Sequence, residues 1–237
     1  MHRLGQMAVL DDGTNLSRRR GAVSVMQYDE DGYLPEALLN YLVRLGWSHG
    51  DDEVFSMEQF VQWFDLDHIT SSAAQFNTEK LNWLNAHYLK AADDGRLAGE
   101  AAKRLARRGI DPEAGASLER VVALYKDRVG NLNELADALE PFCVAVHAAP
   151  ELIESHLSEA ARAALADLAG RLAACAWEKA AIAAAMKETL AACKMKMPQV
   201  AIPLRVALLG QPQSPSIDAV LEVLGREEVL ARLERYR

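Results

Sequence analysis

Apolar residues recur at helical spacing along this chain and are repeatedly cut off by capping residues, prolines and glycines. Pro35 opens a segment in which Leu38, Leu39, Leu42, Val43 and Leu45 follow that spacing, and Gly46 stops it. Ser56 is a natural N-cap for Met57–Phe64, and Asn77 for a longer helix through Leu81, Leu84 and Tyr88. An alanine-rich helix over Arg96–Arg108 ends at Gly109 and the Asp111-Pro112 turn. Ser117 starts Leu118–Val129, and Asn131 starts a short helix stopped near Pro141. Longer helices are expected over Ser158–Ala173 and Trp177–Ala192, and short ones over Pro203–Leu209, Ile217–Leu224 and Glu227–Tyr236. Extended signals are few: Gly21–Tyr28 is the best, with a short strand in His2–Leu10 before the Asp11-Asp12-Gly13 turn. The expected fold is mostly α. At 237 residues the chain has room for one large domain or two small ones.

Charge narrows the function. The net charge is −8, which argues against a generic basic nucleic-acid coat. The distribution is uneven. Residues 1–20 hold 4 basic and 2 acidic groups, residues 21–95 hold 3 and 13, and residues 96–237 hold 19 of each. Cys143, Cys175 and Cys193 are too few for a disulfide framework and read as reduced thiols. The six histidines lack metal-ligand spacing, so no metal site is expected. No uncharged apolar run reaches 18 residues; Ala160–Trp177 is broken by Arg162, Asp167 and Arg171. The expectation is a soluble, cytoplasmic protein without a membrane partner. The methionines Met186, Met195 and Met197 read as core or connector, and Trp47, Trp63, Phe64, Phe76 and Trp83 read as core.

The first 20 residues read as the middle of a domain rather than its start. Asn15-Leu16-Ser17-Arg18-Arg19-Arg20-Gly21 is a basic loop closed by glycine, with nothing before it to complete a nucleotide pocket. There is no His-x-Gly-His, no G-x-G-x-x-G and no P-loop.

A resemblance extends this reading. Gly21-Ala22-Val23-Ser24-Val25, then Gly32-Tyr33-Leu34-Pro35-Glu36-Ala37-Leu38-Leu39-Asn40-Tyr41-Leu42 and Leu45-Gly46-Trp47-Ser48, closely resemble the bacterial glutamyl-tRNA synthetase family. The likeness continues through Phe76-Asn77-x-x-Lys80-Leu81-x-Trp83-x-Asn85 and, more weakly, Pro198-Gln199-Val200-Ala201-x-Pro203-Leu204-Arg205. It implies the C-terminal portion of such an enzyme. Residues 1–27 would be a small β and loop remnant of the class I catalytic domain, and 28–95 a helical stem-contact region. Residues 96–237 would be an α-helical, helix-cage anticodon-binding domain, with a possible subdivision near 140–150.

The same resemblance implies site residues. Asn15, Leu16, Ser17, Arg18 and Arg19 replace the family's K-L-S-K-R, a loop whose cations contact ATP phosphates. Asn15 has lost the first charge, and Arg18 puts a planar fork where the family has an ammonium. Arg128 aligns with the arginine used against the third anticodon base, although the residues alone equally allow a pair with Asp127 or Glu119. Arg205, Ser214 and Ile217 fall where the other anticodon bases are met. In the acidic middle, contact would fall to few cations, Arg44 and Lys80.

The implied partner is tRNA-Glu, with no DNA, and the chain is expected to be a monomer. ATP with Mg2+ would serve only the intact enzyme, and this chain alone would bind neither nor aminoacylate. The alternative is a non-catalytic module on the same scaffold that acts in protein interaction or regulation.

Overall fold

The computed structural model describes residues 8–9, 24–69 and 74–236. The chain divides into two compact units. The first holds residues 1–93 and 126–135, and the second 94–125 and 136–237.

In the first unit, β1 (Ala8–Val9) and β2 (Ala74–Gln75) form a two-residue parallel pair. The strand expected in His2–Leu10 is thus paired by a segment from later in the chain. The helices are α1 (Val25–Glu30), α2 (Pro35–Arg44), α3 (Met57–Trp63) and α4 (Thr78–Ala91). Pro35 sits in the first turn of α2, where a missing N–H costs nothing. Ser56 and Gln59 form a capping box on α3, and the Asn77 side chain accepts the Lys80 N–H on α4. The buried face of α2 (Leu38, Tyr41) packs on that of α4 (Leu81, Leu84).

Polar side chains lock this packing. Asn85 is fully buried; its carbonyl accepts the Leu34 N–H at 2.8 Å and its amide donates to Gly130 O at 2.7 Å. Asn40 accepts from Phe55 N–H at 3.3 Å and donates to Glu53 O at 3.1 Å. Gly32, at φ +89°, lies so close to the 131–133 turn that a Cβ would meet Asn133 N at 2.9 Å.

The second unit contains α5 (Asp94–Arg107) and α6 (Leu118–Tyr125), which pack together. The 3-10 turn Lys126–Arg128 and the first half of the next helix, α7 (Leu132–Leu139), belong to the first unit. The second unit resumes with α8 (Pro150–His156), α9 (Glu159–Ala174) and α10 (Lys179–Cys193). It ends with α11 (Met197–Leu209), α12 (Ile217–Leu224) and α13 (Arg226–Glu234). Buried Ala161, Ala164 and Ala169 let neighbouring helices approach α9 closely, while Leu165, Leu168 and Leu172 fill the space between. Helix α9 packs on α10, α11 and α13.

Arg232 on α13 is 2% exposed. It donates to Leu208 O and Glu228 Oε1, each at 2.5 Å, and to Val144 O at 3.2 Å. Nearby, Arg235 holds Val146 O at 3.2 Å, and the Tyr236 hydroxyl accepts the Ala148 N–H at 3.3 Å.

The mostly α expectation holds, with strand confined to four residues among those described. Three local expectations need correction. Within Gly21–Tyr28, Val25 onward is helical, because the Ser24 hydroxyl accepts the Met26 N–H and starts a turn; 21–23 lie outside the described residues. The Leu118–Val129 helix stops at Tyr125, since Asn131 caps a new helix by accepting from Asn133 and Glu134. Pro203 does not open a helix. Helix α11 already starts at Met197 and carries Pro203 inside.

Arg232→Met should lower stability by about 2 to 3 kcal/mol in urea unfolding, because the buried Leu208 carbonyl and the part-buried Val144 carbonyl lose their shared donor, while the half-exposed Glu228 is left to water. Burial pushes the Cys143 thiol up from its ordinary range, with Asp111 and Glu140 adding to it. In the native protein at mildly alkaline pH, iodoacetamide should therefore modify Cys143 more slowly than the half-buried Cys175 and Cys193. The difference should vanish in denaturant, as read by peptide mass mapping.

Candidate nucleic-acid interface

Helix α11 ends at Gly210, whose left-handed φ of +69° turns the chain out of the helix. The following turn returns Ser214 to the side of α11. The Ser214 hydroxyl donates to Pro215 O at 2.8 Å and accepts Arg205 Nε at 2.8 Å. Arg205 makes no ion pair among the described residues, so its two terminal nitrogens stay open for an acceptor. Arg205 lines a pocket of 440 Å³ walled mainly by Met186, Met197, Pro198, Ile202 and Ile217, with Lys187 and Asp218 also on its border. The structure therefore brings Arg205, Ser214 and Ile217 into one site on the second unit. An apolar slot beside a fixed planar donor suits the face and edge of an unstacked base.

The methionine reading needs amendment here. Met186 is buried, as expected of core, but Met197 is 44% exposed and forms pocket wall. Sequence reasoning also missed Pro198 and Ile202 as wall residues. Helix α11 is apolar almost all round, and periodicity could not say which of its faces stays open.

The other expected residues lie on the first unit. Arg128 is exposed on its 3-10 turn and has no ion pair among the described residues. Asp127, its conceivable partner, instead faces Lys90 at 4.0 Å. Lys80 is already engaged: Nζ lies 2.6 Å from Glu53 and 4.3 Å from the Trp83 ring centre. That pair holds the Glu53 carboxyl below its usual range, by hydrogen bond first and charge second. Arg44 closes α2 and has one terminal nitrogen buried without a partner among the described residues. Asn15, Leu16, Ser17, Arg18 and Arg19 lie outside the described residues.

Of the five aromatics expected in the core, Trp47 is 4% exposed and packs edge-on against Phe55 and Phe60. Trp83, by contrast, is 48% exposed under Lys80. A second cavity, of 820 Å³ and more polar, lies between the 114–116 and 142–145 segments and the start of α13. Among the described residues, no three His, Cys, Asp or Glu are grouped to hold a metal ion. No described helix is long and apolar enough to cross a membrane.

Residues 78–237 match the family described as the anticodon binding domain. The chain belongs to that family. Residues 4–83 match the catalytic domain of class I tRNA synthetases (E and Q). The chain is 74% identical over 230 residues to a glutamate–tRNA ligase of Azoarcus sp. (strain BH72), covering 97% of this chain and 49% of that protein. It is 60% identical over 227 residues to the ligase of Thiobacillus denitrificans, covering 96% and 48%. The chain thus spans about half the length of the curated relatives it matches. The crystal structure of a glutamate tRNA ligase from Elizabethkingia meningosepticum shares the fold, with a TM-score of 0.82 at 23% identity over 97% of this chain and 50% of that one.

Proposed function

We propose that this chain is the tRNA-binding portion of a glutamate–tRNA ligase and discriminates tRNA-Glu by its anticodon. The observation that carries this is Arg205, held by Ser214 and lining a mainly apolar pocket together with Ile217, in a chain of the anticodon-binding family. Arg205, Ser214 and Ile217 meet anticodon bases, and the unpaired, exposed Arg128 meets the third base. Arg44 and Lys80 approach the stem, Lys80 after giving up Glu53. Residues 28–95 then serve as the stem-contact region and 96–237 as the anticodon domain, while 1–27 belong to the catalytic domain.

In the whole ligase, ATP with Mg2+ activates glutamate before the acyl group passes to the tRNA 3′ end. The Asn15–Arg19 loop is the part of this chain that would face the ATP phosphates. The high identity to glutamate–tRNA ligases supports this reading over a non-catalytic regulatory module. Cytoplasmic residence follows from the proposed role.

Fluorescence anisotropy with an anticodon stem–loop RNA of tRNA-Glu at low salt tests the proposal. Arg205→Ala should weaken binding about tenfold, a typical loss for one base-edge contact. Arg128→Gln should relax the preference for the tRNA-Glu loop over the tRNA-Gln loop. Equal binding of both loops by the unaltered chain would refute anticodon discrimination. Mixed with ATP, glutamate and tRNA, the chain alone should yield no glutamyl-tRNA; measurable product would overturn the assignment of the chemistry to residues outside it.

A further inference from the structure

The 3-10 turn Lys126–Arg128 sets three charged side chains in a row, and the end of α4 engages two of them. Lys126 is half-buried, and its Nζ donates to Ala92 O at 3.0 Å. Ala92 closes α4, where helix carbonyls lack a partner within the helix. Asp127 faces Lys90 in the last turn of α4, carboxylate to ammonium at 4.0 Å. The third residue, Arg128, is exposed and has no ion pair among the described residues.

The rest of the segment follows the same pattern. Residues 126–135 carry two carboxylates, Asp127 and Glu134. Glu134 accepts the Gly130 N–H at 2.7 Å and the Asn131 amide at 2.9 Å. Asn85 on α4 donates to Gly130 O at 2.7 Å, and Gly32 O accepts the Leu132 N–H at 2.9 Å. The backbone that carries Arg128 is thus fastened to the first unit, and each nearby carboxylate of its own segment is occupied elsewhere.

Asp127 precedes Arg128 directly and is the carboxylate its guanidinium reaches most easily. A guanidinium that turns its fork to a carboxylate cannot present the same donors to a base edge. Lys90 draws that carboxylate toward α4 and offsets its charge.

We propose that Lys90 is a positioning residue for anticodon discrimination, which holds Asp127 off Arg128 and so leaves the guanidinium open to a base. This rests on the reading of Arg128 as the contact to the third anticodon base. Lys90 acts through Asp127 rather than by touching RNA.

The test measures, by fluorescence anisotropy, the ratio of the Kd values for the anticodon stem–loop RNAs of tRNA-Gln and tRNA-Glu. Both partners of the Lys90–Asp127 pair are exposed, so the effect is modest. Lys90→Met should lower the preference for the tRNA-Glu loop about threefold, within the usual worth of a surface ion pair. Lys90→Arg should keep the preference. Lys90→Met combined with Asp127→Asn should restore it, because no carboxylate is left to compete for Arg128. A preference that survives Lys90→Met overturns the proposal. Equal weakening of both loops by Lys90→Met, with the ratio unchanged, overturns it too, since that is the mark of a phosphate contact. A ratio that falls in Lys90→Met and stays low in the double variant removes Asp127 from the argument and the proposal with it. Arg128→Gln in the same assay separates the two levels. A ratio lowered by Arg128→Gln but not by Lys90→Met leaves the third-base reading intact and overturns only the role of Lys90; a ratio unmoved by either variant overturns both.

Discussion

The arrangement of the second unit depends on one buried cation. Leu208 lies in the last turn of α11, where helix carbonyls have no partner within the helix. Arg232 reaches from α13 to that carbonyl, to Val144 in the preceding loop and to Glu228 on its own helix. One guanidinium thus closes the end of α11, complements its dipole and ties down the connection that follows α7. Burying the charge is costly, so the geometry holds only with all its partners in place. Helix α11 is also the element whose opposite end carries Met197, Pro198, Ile202 and Arg205. The position of the pocket walls is therefore tied to an interaction made at the far end of the same rigid helix.

The charge balance looks different once residues are placed. A net −8 disfavours a protein that gathers RNA by bulk attraction. In the acidic first unit, Lys80 already serves Glu53, and Lys90 faces Asp127. Among the described residues the cations without an ion pair are scattered rather than gathered, with Arg128 on a tight turn, Arg120 on α6, Lys187 on α10, and the terminal nitrogens of Arg205 beside its pocket. Such a distribution favours specific contacts over general affinity, because few phosphates can be neutralised while individual base edges can still be met. Backbone conformation contributes as well. Gly210 and the Ser214-Pro215 hydrogen bond hold the turn that brings the hydroxyl back to Arg205.

Much of the secondary structure was legible because its signals are local. Ser56 and Asn77 cap the helices they were expected to cap, each through a side chain that accepts a nearby N–H, and Ser158, expected as the first residue of its helix, proves to be its cap. Expectations failed where a signal was ambiguous or its cause distant. Pro203 reads as a helix start, yet tertiary packing carries α11 through it. Val25–Glu30 has residues that favour strands, but a serine cap made a helix of them. Residues 126–135 follow α6 without any break in composition. They pack with the first unit because Asn85 and Gly32 bond to Gly130 and Leu132, partners some 45 to 100 residues away.

The sequence by itself determined a mostly helical chain, the positions of most caps, and a family likeness concentrated in residues 21–48 and 76–85. It also named Arg205, Ser214 and Ile217 as a group, through that likeness. Only the tertiary structure decided that Arg205 and Ile217 line one pocket with Ser214 bonded to Arg205, that Arg128 has no ion pair among the described residues, that Lys80 is engaged, and that Met197 walls the pocket while Met186 is buried. The physical reason is range. Capping and periodicity act within one or two turns, whereas a pocket is the space left between helices, and no short stretch of residues specifies it.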